Sequence, residues 1–192
     1  FNIEILLFFS FLKDIQHKRN DIEKLFLFLG EIDSAIAVAS IKTEYQDRVC
    51  QPSFSFKKEI KFNKIWHPLV KNCITNDLRL SEKSMLLTGS NMSGKSTFIR
   101  TVAINTLLAQ TINICFAEHF TAPFLKLYSS IRITDNLSKN TSYYLEEVLQ
   151  IKKLLDCSKE DIPKLFVLDE IFKGTNTEER IAAGKSILSY LN

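Results

Sequence analysis

Chain-breaking residues are scarce in this sequence, with five glycines and four prolines among 192 residues. That scarcity excludes collagen-like and low-complexity readings and leaves long stretches free for regular structure. Cysteine is also sparse: Cys50, Cys73, Cys115 and Cys157 stand far apart with no CxxC pair. This argues against a zinc site or a small disulfide framework and fits reduced thiols in a cytosolic protein. No charge of one sign dominates, because the formal net charge is only +3 and Lys and Arg are scattered among acids. Charge balance therefore points neither toward nor away from nucleic acid. The opening FNIEILLFFSFL has the length of a signal-peptide apolar region, but it lacks a basic start, contains Glu4 and is too short to span a bilayer. A buried helix is expected there, and no membrane partner.

With 45% hydrophobic residues, the chain has material for one well-buried domain plus a helical extension. Residues 1–40 contain no proline, and Ile22, Leu25, Phe26 and Leu29 repeat at the spacing of one helix face. Gly30 is expected to punctuate, before a second stripe at Ile32, Ala35, Ile36 and Ala39. Around Gln51-Pro52-Ser53 the pattern turns to short alternating stretches such as FSFKKEIKF, which read as strands. The expected division is a helical segment over 1–50 and a second domain over 51–192. Phe1 is not a methionine and Asn192 falls inside what reads as a helix, so a piece of a longer protein is expected.

In the second domain, MLLT at 85–88 reads as a short buried strand and Lys95 to Gln110 as a helix. KLYSSIRI at 126–133 is a further strand, followed by a polar break, DNLSKNTS, at 135–142. A helix is expected from Tyr143 to Leu155, then an unbroken apolar strand, LFVLD, at 165–169. Thr177 is placed to cap a last helix, with Glu178 and Glu179 in its first turn. Strands alternating with helices predict an α/β fold with a mainly parallel sheet flanked by helices, preceded by an α-helical segment.

The segment GSNMSGKS at 89–96 fits G-x-x-x-x-G-K-[ST] between an expected strand and an expected helix, the context of a phosphate-binding loop. Glycine is needed where backbone N–H groups must curl around phosphate oxygens, and the helix N-terminus adds positive potential. Lys95 would reach the β and γ phosphates, and the Ser96 hydroxyl would ligate magnesium. LFVLDE at 165–170 places Asp169 and Glu170 at the end of an apolar strand. Alone, such a pair fits an ordinary solvated loop. Beside a phosphate loop, Asp169 reads as the magnesium ligand and Glu170 as the group that polarises the attacking water.

TGSNMSGKSTFIRT at 88–101 together with LDEIFKGTNTEER at 168–180 resembles the ATPase domain of the MutS family of DNA mismatch-repair proteins. HPL at 67–69, Asn76-Asp77, DNLSKNTSYYLEEV at 135–148 and GTNT at 174–177 extend the resemblance over nearly everything from residue 60 onward. LGEIDSAIAVAS at 29–40 is similar to the end of the family's long helical segment. The SNMSGKST and DEIFKGTNTEER wording is closer to a divergent MutS-like branch than to the main repair protein.

The resemblance implies a P-loop NTPase of the ABC type that binds ATP and Mg2+ between two facing subunits of a homodimer. Gly89, Ser90, Asn91, Met92, Ser93, Gly94, Lys95, Ser96 and Thr97 would contact the nucleotide. Asn91 and Lys95 would join Glu170 in catalysis, with Ser96 and Asp169 on the metal. Ser142 would reach the γ phosphate of the opposite subunit, although its place before a helix equally suits a simple cap. DNA, duplex or branched, would be met by parts of the full protein outside this chain, in the cytoplasm and on the nucleoid if the source is bacterial.

The sequence departs from the family pattern at three places. Asn140 and Thr141 stand where a glycine is common, Cys73 lies near the position of an adenine-stacking aromatic, and the chain ends before the family's switch histidine and C-terminal dimerisation helices. The domain is expected to be an ATPase that turns ATP and water into ADP and phosphate, and this piece alone could bind nucleotide weakly yet fail to hydrolyse it. The other readings are a nucleotide-dependent dimerisation switch with little turnover, or another ABC-type ATPase. A transporter subunit is disfavoured because LSKNTS replaces the LSGGQ-type signature.

Overall fold

Regular structure in the N-terminal part is entirely helical. A computed structural model describes residues 2–81, 84–90, 92–131, 143–172 and 176–191, and the chain divides into two units, Phe1–Gln46 and Asp47–Asn192. In the first unit, α1 (Asn2–His17) and α2 (Arg19–Tyr45) follow one another across Lys18. Gly30 does not interrupt α2. A mid-helix glycine costs about 1 kcal/mol relative to alanine, too little to stop a helix when no proline or turn residue supports the break. The apolar opening is helical as expected but not buried, with Ile3 73%, Leu6 68% and Phe9 63% exposed. α1 runs on into α2 through the bonds from Lys18 N to Asp14 O and from Ile22 N to Lys18 O, at 2.9 Å each, and backbone bonds that continue a helix bury no side chain.

The second unit holds two separate sheets. Strands β1 (Ser53–Phe54), β2 (Glu59–Ile65), β3 (Asn76–Ser81) and β4 (His119–Ala122) form a four-stranded sheet in the order β1-β4-β2-β3. β1 runs parallel to β4, while β4 and β3 both run antiparallel to β2. Strands β5 (Lys126–Ser130) and β6 (Lys164–Leu168) make a parallel pair of their own, with Ser130 opposite Leu168. Helices α3 (Lys95–Thr111), α4 (Tyr143–Ser158) and α5 (Thr177–Leu191) complete it.

This corrects the expected fold class. Among the described residues the architecture is a small mixed sheet plus a separate parallel pair with five α-helices, not the mainly parallel sheet of a P-loop NTPase. Two physical causes are visible. MLLT at 85–88 forms no strand, and Met85 and Leu86 are 43% and 72% exposed, so among the described residues nothing joins β5–β6 to the larger sheet. An apolar run shows a tendency to be buried but does not supply a pairing partner. β2, for its part, alternates buried Ile60 and Phe62 with exposed Lys61, the half-buried pattern that suits antiparallel pairing.

β2 also carries a bulge. Phe62 pairs with Leu78 and Ile65 with Asn76, so one residue is extra, and Lys64 takes φ 50° there. Its displaced N–H is received by Asp77 Oδ1 at 2.7 Å, while its ammonium meets Glu118 at 2.7 Å.

The main core gathers Phe62, Ile65, Phe120 and Ala122 of the four-stranded sheet, Val102, Ala103 and Ala109 of α3, and Leu165 and Val167 of β6. Phe62 and Phe120 touch at 4.5 Å between ring centroids. A second cluster joins Ile151 and Leu154 of α4, Phe172, and Ile187 of α5. The element that begins at the phosphate loop and the strand that ends at the acidic pair are thus held in one core.

Candidate functional site

The loop at 89–94 takes its shape from its glycines. Gly89 has φ 150° and a Cβ there would stand 3.1 Å from Ser93 Oγ, so a larger residue meets both strain and a close contact. Gly94, at φ 87°, is the left-handed residue that turns the chain into α3. Met92 also has a positive φ, 70°. Ser93 N–H donates to Ser90 O at 3.3 Å, closing the loop on itself.

At the start of α3 the first intrahelical bond runs from Phe98 N to Gly94 O at 2.9 Å, and no side chain caps the helix. The N–H groups of its first turn are therefore left to other partners, with the positive end of the helix dipole behind them. Lys95 folds back so that its ammonium donates to Gly89 O at 2.7 Å and Ser90 O at 2.5 Å. Ser96 is half-buried and Thr97 exposed in the same turn. This is an exposed, N–H-rich helix entry with a lysine beside it, of a kind suited to an anion of phosphate type.

The acidic pair follows β6. Asp169 is half-buried and its N–H donates to Ser130 O at 3.0 Å, continuing the β5–β6 ladder by one bond. Glu170 is exposed and sits at φ 50°, and Phe172, two residues on, sits at φ 57°. Non-glycine residues in this region are uncommon and gather at functional turns. The Phe172 N–H donates to Glu147 Oε1, which reaches it from α4.

Ser96 and Asp169 offer a hydroxyl and a carboxylate, hard oxygen donors of the kind that magnesium takes. Among the described residues no group of three or more His, Cys, Asp or Glu side chains gathers as a metal cage. Magnesium does not require one, since it keeps several waters and is commonly held by one or two protein groups plus phosphate oxygens. Two concavities lie elsewhere: one of about 820 Å³ along α2 near Phe26 and Gly30, another of about 260 Å³ on the four-stranded sheet near Lys61 and His119. The loop at 89–94 is exposed at its described residues.

Asn91, Ser142, Gly174 and Thr175 lie outside the described residues. Cys73, near the expected adenine position, has its sulfur engaged by the His67 N–H at 3.3 Å. Thr177 is the first residue of α5 and not its cap. That role falls to Asn176, whose Oδ1 accepts the Glu179 N–H at 2.9 Å. Sequence reasoning also passed over Glu147, because Glu146-Glu147 on a solvated helix gives no sign of which acid turns inward.

The MutS domain V family model matches residues 85–192, the span that holds the glycine-turned loop at 89–94 and the acidic pair. The chain belongs to the MutS family. Its MutS relatives include proteins named DNA mismatch repair protein MutS from Staphylococcus aureus strains JH9, Newman and N315, each 28% identical over 98% of this chain. The chain spans 22% of the length of those MutS proteins. Among the described residues of this MutS chain, no helix is long and apolar enough to cross a membrane.

Proposed function

We propose that this chain is the ATP-binding and ATP-hydrolysing part of a MutS-like protein that works on DNA as a dimer, inside the cell, with the DNA met by regions beyond this chain. One observation carries the reading: the loop at 89–94, turned by Gly89 and Gly94, leads into the uncapped N-terminus of α3 with Lys95 folded over it. The domain V match over the same residues supports it.

In this reading the loop N–H groups and Lys95 cradle the β and γ phosphates, with Asn91 and Thr97 beside them. Mg2+, held by Ser96 and Asp169, supplies charge neutralisation on the phosphate oxygens. Glu170 accepts a proton from the attacking water, and its exposed position after β6 leaves it open to solvent. Ser142 is offered to the nucleotide of the second subunit, which makes the site complete only in a dimer.

The test is steady-state hydrolysis and nucleotide binding by the full-length parent protein. Glu170→Gln should lower turnover by about 10²–10⁴-fold with binding retained. An unchanged rate would refute the role of Glu170, and nucleotide binding with negligible turnover in both proteins would leave a nucleotide-dependent dimerisation switch. Stimulation by duplex or branched DNA supports the MutS-like assignment over another ATPase.

A further inference from the structure

Two hydrogen-bonded paths lead from α4 to the acidic pair. In the first, the backbone N–H of Phe172 donates to Glu147 Oε1. In the second, Gln150 Oε1, one turn further along α4, stands 3.4 Å from Ser130 Oγ, and the Ser130 carbonyl accepts the Asp169 N–H at 3.0 Å. The same helix thus reaches both sides of Asp169-Glu170.

The turn that it reaches is strained. Glu170 and Phe172 hold φ values of 50° and 57°, and such a conformation persists in non-glycine residues only where surroundings over-determine it. Here two restraints do so. The Phe172 side chain is packed among Ile151 and Leu154 of α4 and Ile187 of α5, and its N–H is fixed by a carboxylate, a charge-assisted bond stronger than a neutral one.

Stability alone does not account for Glu147. Its second oxygen, Oε2, is buried without a hydrogen-bond partner among the described residues, an arrangement that costs free energy and that a shorter or neutral side chain would avoid.

We propose that Glu147 is a positioning residue: its carboxylate, rigidly carried by α4, holds the strained turn after Asp169 and so sets where Glu170 stands. The proposal rests on the ATPase reading above. It makes the placement of Glu170 depend on that of α4, so that a displacement of this helix is delivered to the water-activating group, with Glu147 as the side chain bonded to the turn itself.

The experiment uses the full-length protein and compares Glu147→Ala, Glu147→Asp and Glu147→Gln with Glu170→Gln, measuring ATP turnover, nucleotide affinity and hydrogen exchange at the Phe172 amide. Alanine removes the acceptor and aspartate withdraws it by one methylene, so both should lower kcat roughly 10–100-fold while ATP affinity stays within about twofold. Glutamine keeps an acceptor oxygen and should retain most of the turnover, and exchange at Phe172 should speed up in the alanine variant alone of those two.

Unchanged kcat in Glu147→Ala, in a protein that Glu170→Gln inactivates, overturns the proposal, as does a parallel loss of nucleotide affinity. Should Glu147→Ala fail to fold, equal turnover in the aspartate and glutamine variants overturns it instead. Should Glu170→Gln leave turnover intact, the catalytic role of Glu170 falls on its own. Unaltered exchange at Phe172 in Glu147→Ala would then dispose of the strut as well.

Discussion

The side-chain oxygen of Asn105 accepts the backbone N–H of Phe116 at 2.6 Å. The amide nitrogen of the same side chain donates to Trp66 O at 3.1 Å and Thr101 O at 3.0 Å, so Asn105 ties α3 to the chain on both sides of it. At 0% exposure it has no water to fall back on. Asn105→Ala removes the acceptor of the Phe116 N–H and the donor to two carbonyls and should destabilise the protein by about 2–4 kcal/mol in denaturant unfolding. A loss well under 1 kcal/mol would show that this network does not anchor α3.

The two loop glycines should fail in different ways. Gly94→Ala meets no atom within 4 Å but must adopt φ 87°, so its cost is backbone strain of about 1–2 kcal/mol, roughly tenfold in nucleotide affinity. Gly89→Ala adds a contact at 3.1 Å with Ser93 Oγ. Adding Ser93→Ala to Gly89→Ala should recover part of the lost binding, whereas the same change should not rescue Gly94→Ala. Equal rescue of both would mean that the contact is irrelevant.

For α5, Asn176→Ala should cost about 1 kcal/mol of stability, since it removes the bond to the Glu179 N–H. Thr177→Ala, already inside the helix, should stay within about 0.5 kcal/mol. Thermal melting of the two variants separates the cap from its neighbour, and the reverse order would return that role to Thr177.

Cys50 and Cys115 exchange both backbone hydrogen bonds at 2.9 Å across an antiparallel bridge. The hydrogen bond from the Cys115 thiol holds Cys50 below the ordinary thiol range, whereas that bond and burial push Cys115 above it. Only the thiolate is nucleophilic, so as pH rises toward about 8.5 Cys50 should be alkylated first and Cys115 should resist. Cys115→Ala should shift the Cys50 labelling midpoint to higher pH, read by mass spectrometry of the modified peptides. Simultaneous labelling of both thiols would contradict this order.

Local pattern was enough for the pieces whose cause is local. The run from Lys95 to Gln110 shows helical spacing and the helix is Lys95–Thr111. The apolar LFVL lies in β6, and the residues that turn the phosphate loop are the glycines a left-handed backbone requires. The family resemblance rode on those same contiguous words and agrees with the domain V match.

Pairing and burial were decided only by the tertiary structure. MLLT has the composition of a strand yet pairs with no strand among the described residues, and the sheet expected to be parallel is mixed because β2 is flanked by antiparallel β3 and β4. Nothing adjacent to these segments encodes the direction of a neighbour tens of residues away. Glu147 and Asn105 are in the same position. One is an acid beside another acid, the other a polar residue in a helix, and each acquires its role only when a distant backbone N–H, that of Phe172 or Phe116, is brought to it by packing.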